Sequence, residues 1–340
     1  MRAAILHKVG EGLRLEEVPV PKIGPKDVLV KVKAAGICHT DLGIVDGYVP
    51  MGKLPMILGH EVAGEIVEAG EEVSKDLIGK RACVSYGVVC GMCPQCKTGN
   101  DTLCDKWQSM GRTVNGGFAE YMAAPAENAI EVPENVSDEV ASIIPCSVST
   151  AYHTVRRANF GLGQRVAIFG IGGLGLNAVQ FSQLVGADVI AVDVVDEKLE
   201  MARSFGATHC LNAKRMDPVT GIKELTEGKG ADVALEFVGS PATYQACIDS
   251  VRRGGRVIVA GYHPEPLKVN SLRLMLDEVT ITGAHVANRS DIREIVSLLG
   301  RGKFDLKRMV THTVDFPNIL DGFERLRTQK GNPIRIVVKV

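Results

Sequence analysis

Four cysteines fall within fifteen residues, as Cys90-x2-Cys93-x2-Cys96-x7-Cys104. Thiolates at such short spacings suit one tetrahedral Zn²⁺, and four sulfur ligands close its coordination shell. A closed shell has no open position for water, so the role expected of this 90–104 loop is structural. Gly91, Pro94 and Gly99 supply the turns that let the loop wrap an ion. The alternatives are an iron–sulfur cluster and two disulfides. The spacing does not follow the common ferredoxin runs, and a reducing compartment disfavours disulfides.

A second set with metal-ligand chemistry is dispersed: Cys38 in GICHTD, His60 in GHE and Cys146 in IPCS. A Cys₂His set leaves the fourth zinc position open for water or substrate, which is the arrangement of a catalytic ion. Spacing alone does not bring these three together. A lone cysteine is usually a small buried hydrophobe, and a lone histidine a satisfied core or surface group. Cys83, Cys210 and Cys247 have no assigned partner and read as buried packing residues. The odd total of nine cysteines argues against a fully paired disulfide framework.

The third constellation is Gly170-Ile171-Gly172-Gly173-Leu174-Gly175, a GxGxxG run. It follows an apolar strand, opens a helix, and has Asp193 downstream at the end of the next apolar run. Gly170 allows a tight turn out of the strand, Gly172 lets a pyrophosphate approach the backbone, and Gly175 lets the helix pack closely. The helix start offers free N–H groups and partial positive charge to the phosphates. Asp193 accepts hydrogen bonds from ribose hydroxyls and repels a 2′-phosphate, so the expected cofactor is NAD and not NADP. Without a ligand, the same run is a glycine-rich turn with Asp193 as a helix N-cap. Taken alone, Lys198 is a solvated helix lysine and Arg335 an exposed strand arginine.

Two textures must position these groups. Residues 1 to about 150 are rich in β-branched runs broken by Gly and Pro, such as DVLVKVKAAG and EVAGEIVEAG, which predicts an antiparallel β domain. From 151 to 285, RVAIFG, ADVIAVD, ADVALEFVG, GRVIVAG and VTITG alternate with helical stretches. That alternation predicts βαβ units and a doubly wound parallel sheet covered on both faces. The tail, 286–340, holds helices at DIREIVSLLGRG and NILDGFERLR and a final strand, IRIVVKV. It is expected to return to the first domain and make it discontinuous.

The 340 residues suit two domains. A net charge of −1, with scattered Lys and Arg, gives no electrostatic footprint for nucleic acid or an anionic membrane. The N-terminal residues read as a strand pair and not a signal peptide, and no apolar run approaches a membrane span. The expected location is the cytoplasm.

GICHTD, LGHEVAG, the four-cysteine loop, GGFAEY, the Cys146 segment and GIGGLG occur in the order found in zinc-dependent alcohol dehydrogenases of the medium-chain dehydrogenase/reductase superfamily, which the whole chain resembles. The resemblance implies an α/β protein with a GroES-like β-rich catalytic domain and a Rossmann coenzyme domain. It implies an NAD(H)-linked oxidoreductase acting on alcohols, aldehydes or ketones, with two Zn²⁺ per subunit, one structural and one catalytic. Cys38, His60 and Cys146 then match the catalytic zinc ligands. Thr40 matches the hydroxyl that takes the alcohol proton, Asp41 a carboxylate orienting the zinc histidine, and Glu61 an alternate ligand. His39, Lys198 and Arg335 fall at cofactor-contact positions. Tyr86 and Trp107 are candidates for the substrate pocket, with core packing as the alternative for each. Many members carry a histidine where this chain has Gly43, which leaves the last proton acceptor open. The expected site is a cleft between the domains, and the expected assembly a homotetramer. A reductase of the same superfamily acting on enoyl thioesters or quinones is the rival. Such enzymes generally need no catalytic zinc, so the retained ligand set speaks against it.

Overall fold

The computed structural model describes residues 1–262 and 266–340. The chain divides into two compact units, Met1–Ser149 with Ala287–Val340, and Thr150–Val286.

The first unit is built on strands β1 (Arg2–Leu6), β2 (Leu13–Glu17), β3 (Asp27–Ile37), β4 (Met56–Ile57), β5 (Glu61–Ala69), β6 (Arg81–Val84), β7 (Gly87–Val88), β8 (Gln108–Ser109), β9 (Tyr121–Pro125) and β10 (Ala129–Glu131). The second contributes β11 (Arg165–Phe169), β12 (Asp188–Asp193), β13 (His209–Asn212), β14 (Ala231–Glu236), β15 (Val251–Val259) and β16 (Thr280–Gly283). After it, β17 (Val310–Asp315) and β18 (Arg335–Lys339) belong to the first unit again.

In the first unit β3 is the hub. It pairs antiparallel with β5 along one edge, and shares the other edge between β9 at its start and β18 at its end. The sheet runs β10-β6-β5-β3-β18-β17, and β17 and β18 are parallel. Helix α1 (His39–Asp46) follows β3 directly. Helix α2 (Pro94–Lys97) lies in the cysteine loop, and α3 (Asp138–Ile143) runs into a π turn, Ile144–Val148. Leu6, Ile37, Ile44, Ile66, Phe118 and Ile143 are among its fully buried side chains.

Helix α4 (Ser149–Ala158) leads into the second unit. Its strands are all parallel, in the order β13-β12-β11-β14-β15-β16. Parallel strands covered on both faces must be apolar throughout. The centres of RVAIF and ADVALE meet this requirement, with Val166, Ala167, Ile168, Val233, Ala234 and Leu235 fully buried. The connecting helices are α5 (Gly173–Leu184), α6 (Asp196–Ser204), α7 (Pro218–Leu225) and α8 (Pro241–Ser250), with α9 (Ser271–Asp277) before β16. Strand order and helix placement are those of a Rossmann sheet, with the order reversing between β11 and β14. Helices α10 (Arg289–Gly300) and α11 (Ile319–Thr328) return to the first unit. Among the described residues, no helix is long and apolar enough to cross a membrane.

Candidate functional site

Cys38 and His60 lie far apart in sequence, and sheet register brings them together. Gly36 on β3 pairs with Glu61 on β5, so the residues just beyond the two strand ends, Cys38 and His60, become neighbours. Ile336 on β18 pairs with Ile37, which carries Arg335 to the same corner. Cys146 enters from the π turn, where Pro145 has no N–H to give a regular helix. The ligand atoms of Cys38, His60, Glu61 and Cys146 all lie within 4.8 Å of one another, and all four residues are buried.

Close backbone approach makes this corner possible. A Cβ at Gly36 would lie 2.2 Å from Glu61 Oε2, so only glycine leaves room for that carboxylate.

Asp41 organises the corner from the first turn of α1. Cys38 is the helix N-cap, and its amide donates to Asp41 Oδ2 at 2.9 Å, one half of a capping box. Asp41 Oδ1 lies 3.1 Å from His60 Nδ1. A fully buried carboxylate here accepts the Nδ1 proton and leaves Nε2 bare to face the cysteines. Tyr86 closes another side, its ring edge-on to His60 at 5.1 Å, and Trp107 packs edge-on to Tyr86 at 6.4 Å.

The electrostatics are those of a cluster that needs a cation. A hydrogen bond from Cys146 draws the Cys38 thiol well down despite burial, and the same bond, with burial, raises Cys146. Burial pushes Glu61 up to about 7 against the pull of Arg335. Burial works to keep His60 neutral, but the charge and hydrogen bond of Asp41 outweigh it and raise its pKa. Burial also raises Tyr86, which stays a neutral phenol. Among the described residues Glu61 makes no hydrogen bond through either oxygen, and the buried Arg335 guanidinium lies 3.3 Å away. Two thiols and an imidazole with an orphaned carboxylate alongside fit zinc, which takes thiolate and neutral imidazole and displaces their protons.

The second cluster is Cys90, Cys93, Cys96 and Cys104, whose sulfurs also lie within 4.8 Å of one another. Backbone amides point at the sulfurs: Cys90 N donates to Cys104 Sγ at 3.3 Å and Cys93 N to Cys90 Sγ at 3.4 Å. The amides of Met92 and Cys93 lower the Cys90 thiol to about 6. All nine cysteines are free thiols. Arg289 anchors the loop, pairing with Asp101 at 3.0 Å and with Glu127.

In the second unit, Gly170 turns out of β11 at φ +90°. A Cβ at Gly175 would lie 2.0 Å from the Gly170 carbonyl oxygen, while Gly172 has open space around it. Helix α5 starts with no side-chain cap, which leaves its first amides for a ligand. Asp193 ends β12; it accepts from Ile171 N at 2.7 Å, Val194 N at 2.7 Å and Val195 N at 3.0 Å. Three amides leave a carboxylate with spare acceptor capacity.

The remaining residues are less constrained. Thr40 is half-buried in the first turn of α1, and Lys198 half-buried on α6. His39 is exposed, its ring 3.5 Å from the Gln329 side-chain amide. Cys210 corrects the sequence reading: it is only half-buried, its thiol donating to the Leu199 carbonyl at 3.3 Å, because β13 is an edge strand. Arg335 is not an exposed strand residue, since its side chain is 4% accessible and faces Glu61. Sequence reasoning missed the Glu61–Arg335 pair and the need for Gly36; the Gly in AAGICH was its one visible trace.

The alcohol dehydrogenase GroES-like domain matches residues 24–134, and the zinc-binding dehydrogenase family matches residues 173–301. An alcohol dehydrogenase of Geobacillus stearothermophilus is 37% identical, with 100% of both chains covered. An NAD-dependent alcohol dehydrogenase of Sulfurisphaera tokodaii is 34% identical, covering 99% of this chain and 100% of that one. The crystal structure of the alcohol dehydrogenase from Aeropyrum pernix superposes with a TM-score of 0.91 at 37% identity, with 100% of both chains covered.

Proposed function

The chain belongs to the zinc-dependent alcohol dehydrogenases of the medium-chain type, and on that premise we propose that it interconverts alcohols and carbonyl compounds with NAD(H). The observation that carries this reading is the buried meeting of Cys38, His60, Glu61 and Cys146, separate from a closed four-cysteine cluster. A structural zinc needs only the second of these. A set of three donors plus a movable carboxylate suits an ion with an exchangeable position.

Cys38, His60 and Cys146 would hold the catalytic zinc, and Cys90, Cys93, Cys96 and Cys104 the structural one. Zinc at the first set supplies Lewis-acid polarisation of the substrate oxygen and lowers the pKa of an alcohol toward neutrality. NAD supplies the hydride acceptor, and NADH the donor. The protein's own part is proton handling, orientation and exclusion of competing ligands. Asp41 fixes the His60 tautomer, so that Nε2 is the donor atom. The Thr40 hydroxyl takes the alcohol proton and passes it outward. Glu61 would be the alternate ligand, and Arg335 balances its charge. Tyr86, packed on His60, walls the substrate pocket, and Trp107 supports Tyr86. Gly170, Gly172, Gly173, Leu174 and Gly175 cradle the pyrophosphate, with His39 and Lys198 as further cofactor contacts. Asp193 takes the adenosine ribose and excludes a 2′-phosphate. The donor set favours this reading over a double-bond reductase, whose reaction has no call for an exchangeable zinc.

The same reading extends to assembly and location. Helix α9 exposes Leu272 (57%), Met275 (66%) and Leu276 (62%), and leads into β16, the edge strand of the parallel sheet. A sheet edge with no further strand among the described residues, following an apolar helix face in sequence, suits pairing with a second copy, in keeping with a homotetramer. Nine free thiols suit a reducing cytoplasm.

The test is metal analysis followed by a spectrophotometric NADH screen over aldehydes, ketones and enoyl compounds. The expected result is about two zinc ions per chain, carbonyl reduction, and its loss on chelation of one ion. Reduction of enoyl compounds alone, insensitive to chelators, refutes the assignment.

A further inference from the structure

Glu236 is the last residue of β14 and pairs with Phe169, the last residue of β11. Strand order reverses between these two strands, and ligands of such sheets lie outside the carboxyl ends at that point. The Glu236 side chain is fully buried, and a buried carboxylate requires partners. Oε1 accepts from Val238 N at 3.0 Å, Gly239 N at 2.8 Å and Thr243 Oγ1 at 2.7 Å. Its main-chain carbonyl accepts from Ala260 N at 2.9 Å and Gly261 N at 3.0 Å. Among the described residues, Oε2 has no hydrogen-bond partner. A Cβ at Gly261 would lie 2.5 Å from that oxygen and 2.3 Å from Gly239 N. One residue therefore clasps the loop after β14 to the loop after β15.

The clasped loop is seated on the dinucleotide turn. Phe237 N donates to the Phe169 carbonyl at 3.0 Å, and a Cβ at Gly170 would lie 2.6 Å from Val238 Cγ2. Val238 is 49% exposed, an apolar side chain held at the mouth of the site and not packed away. Burial raises the pKa of Glu236, and the Thr243 hydroxyl and the amides of Gly239, Val238 and Gly261 pull the other way, so loops and carboxylate depend on one another.

From this geometry we infer that Glu236 is a positioning residue for the dinucleotide. Its carboxylate holds Val238 and the 237–240 turn against Gly170 and so shapes the crevice that receives NAD. The inference rests on the NAD(H)-linked reading above. The test is NADH affinity by fluorescence titration of the zinc-loaded protein, with Tm and zinc content measured alongside. In E236L no acceptor remains for the Val238 and Gly239 amides and the Thr243 hydroxyl, so the Kd for NADH rises about tenfold or more, KM for NAD follows, and KM for alcohol at saturating NAD stays put. T243V removes one of the three donors to Oε1, along with the Thr243 half of the α8 capping box, and Kd rises about threefold. A lowered Tm with unchanged Kd in both variants marks a purely structural group and overturns the inference. If E236L does not fold, T243V decides by itself: unchanged Kd overturns. A wild-type chain that binds no NADH overturns the functional reading, and this inference with it.

Discussion

Replacing Asp41 with Asn changes no volume and tests how one carboxylate serves two donors. The Cys38 amide and the His60 Nδ1–H both point at Asp41, at 2.9 Å and 3.1 Å. A carboxylate accepts both; an Asn side chain has one acceptor oxygen and one donor NH₂. If the oxygen stays on Cys38 N, the NH₂ faces Nδ1. His60 must then give up that proton, take the other tautomer, and place a proton on Nε2 where the metal belongs. If the oxygen turns to His60 instead, the Cys38 amide loses its cap and the N-terminus of α1 is left unsatisfied. Either way the metal site loses its orienting partner, which costs about 10- to 100-fold in zinc affinity, or roughly 1.4–2.7 kcal/mol. The assay is competition with a chromophoric chelator, read as zinc released per chain. The four-cysteine site is an internal reference, since Asp41 bonds Cys38 and His60 of the other cluster. D41N is expected to release one zinc at a chelator level where the wild type keeps both. Equal retention of both ions by D41N and the wild type refutes the tautomer reasoning.

Three further outcomes follow from the same geometry. C38S should hold one zinc instead of two, keep NADH binding and lose turnover; full turnover in C38S would falsify the zinc assignment. R289A strips Asp101, whose side chain is 13% accessible, of its guanidinium. It should lower unfolding free energy by about 2 kcal/mol, less than a fully buried pair costs, read by urea denaturation; an unchanged midpoint counts against this anchor. The wild type should show higher kcat/KM with NADH than with NADPH, and D193A should narrow that ratio about tenfold by removing like-charge repulsion. A ratio unmoved by D193A counts against the specificity role of Asp193.

Local pattern carried much of this fold. RVAIF and ADVALE are short, largely apolar runs of strand length set between helical stretches, and they form β11 and β14. The four-cysteine loop was legible because its ligands are close in sequence, so chain geometry alone holds them near one another. Cys38, His60 and Cys146 were legible only by resemblance. Their meeting depends on the register of β3 with β5 and on a π turn, and neither leaves a periodic trace in the sequence. Glu236 was invisible for another reason. A glutamate ending an apolar run reads as the strand emerging into solvent, whereas here it is fully buried because main-chain amides from the following turn fold back onto it.

The pairing of Glu61 with Arg335 also orders events during synthesis. Cys38, His60, Glu61 and Cys146 leave the ribosome long before Arg335, with the whole Thr150–Val286 unit made in between. A nascent chain thus displays two thiols, an imidazole and a carboxylate while the guanidinium that neutralises them does not yet exist. Contacts between such distant segments form late and slowly. Until β18 docks on β3, the carboxylate has no reason to leave water, and the corner stays open to whatever cation arrives first.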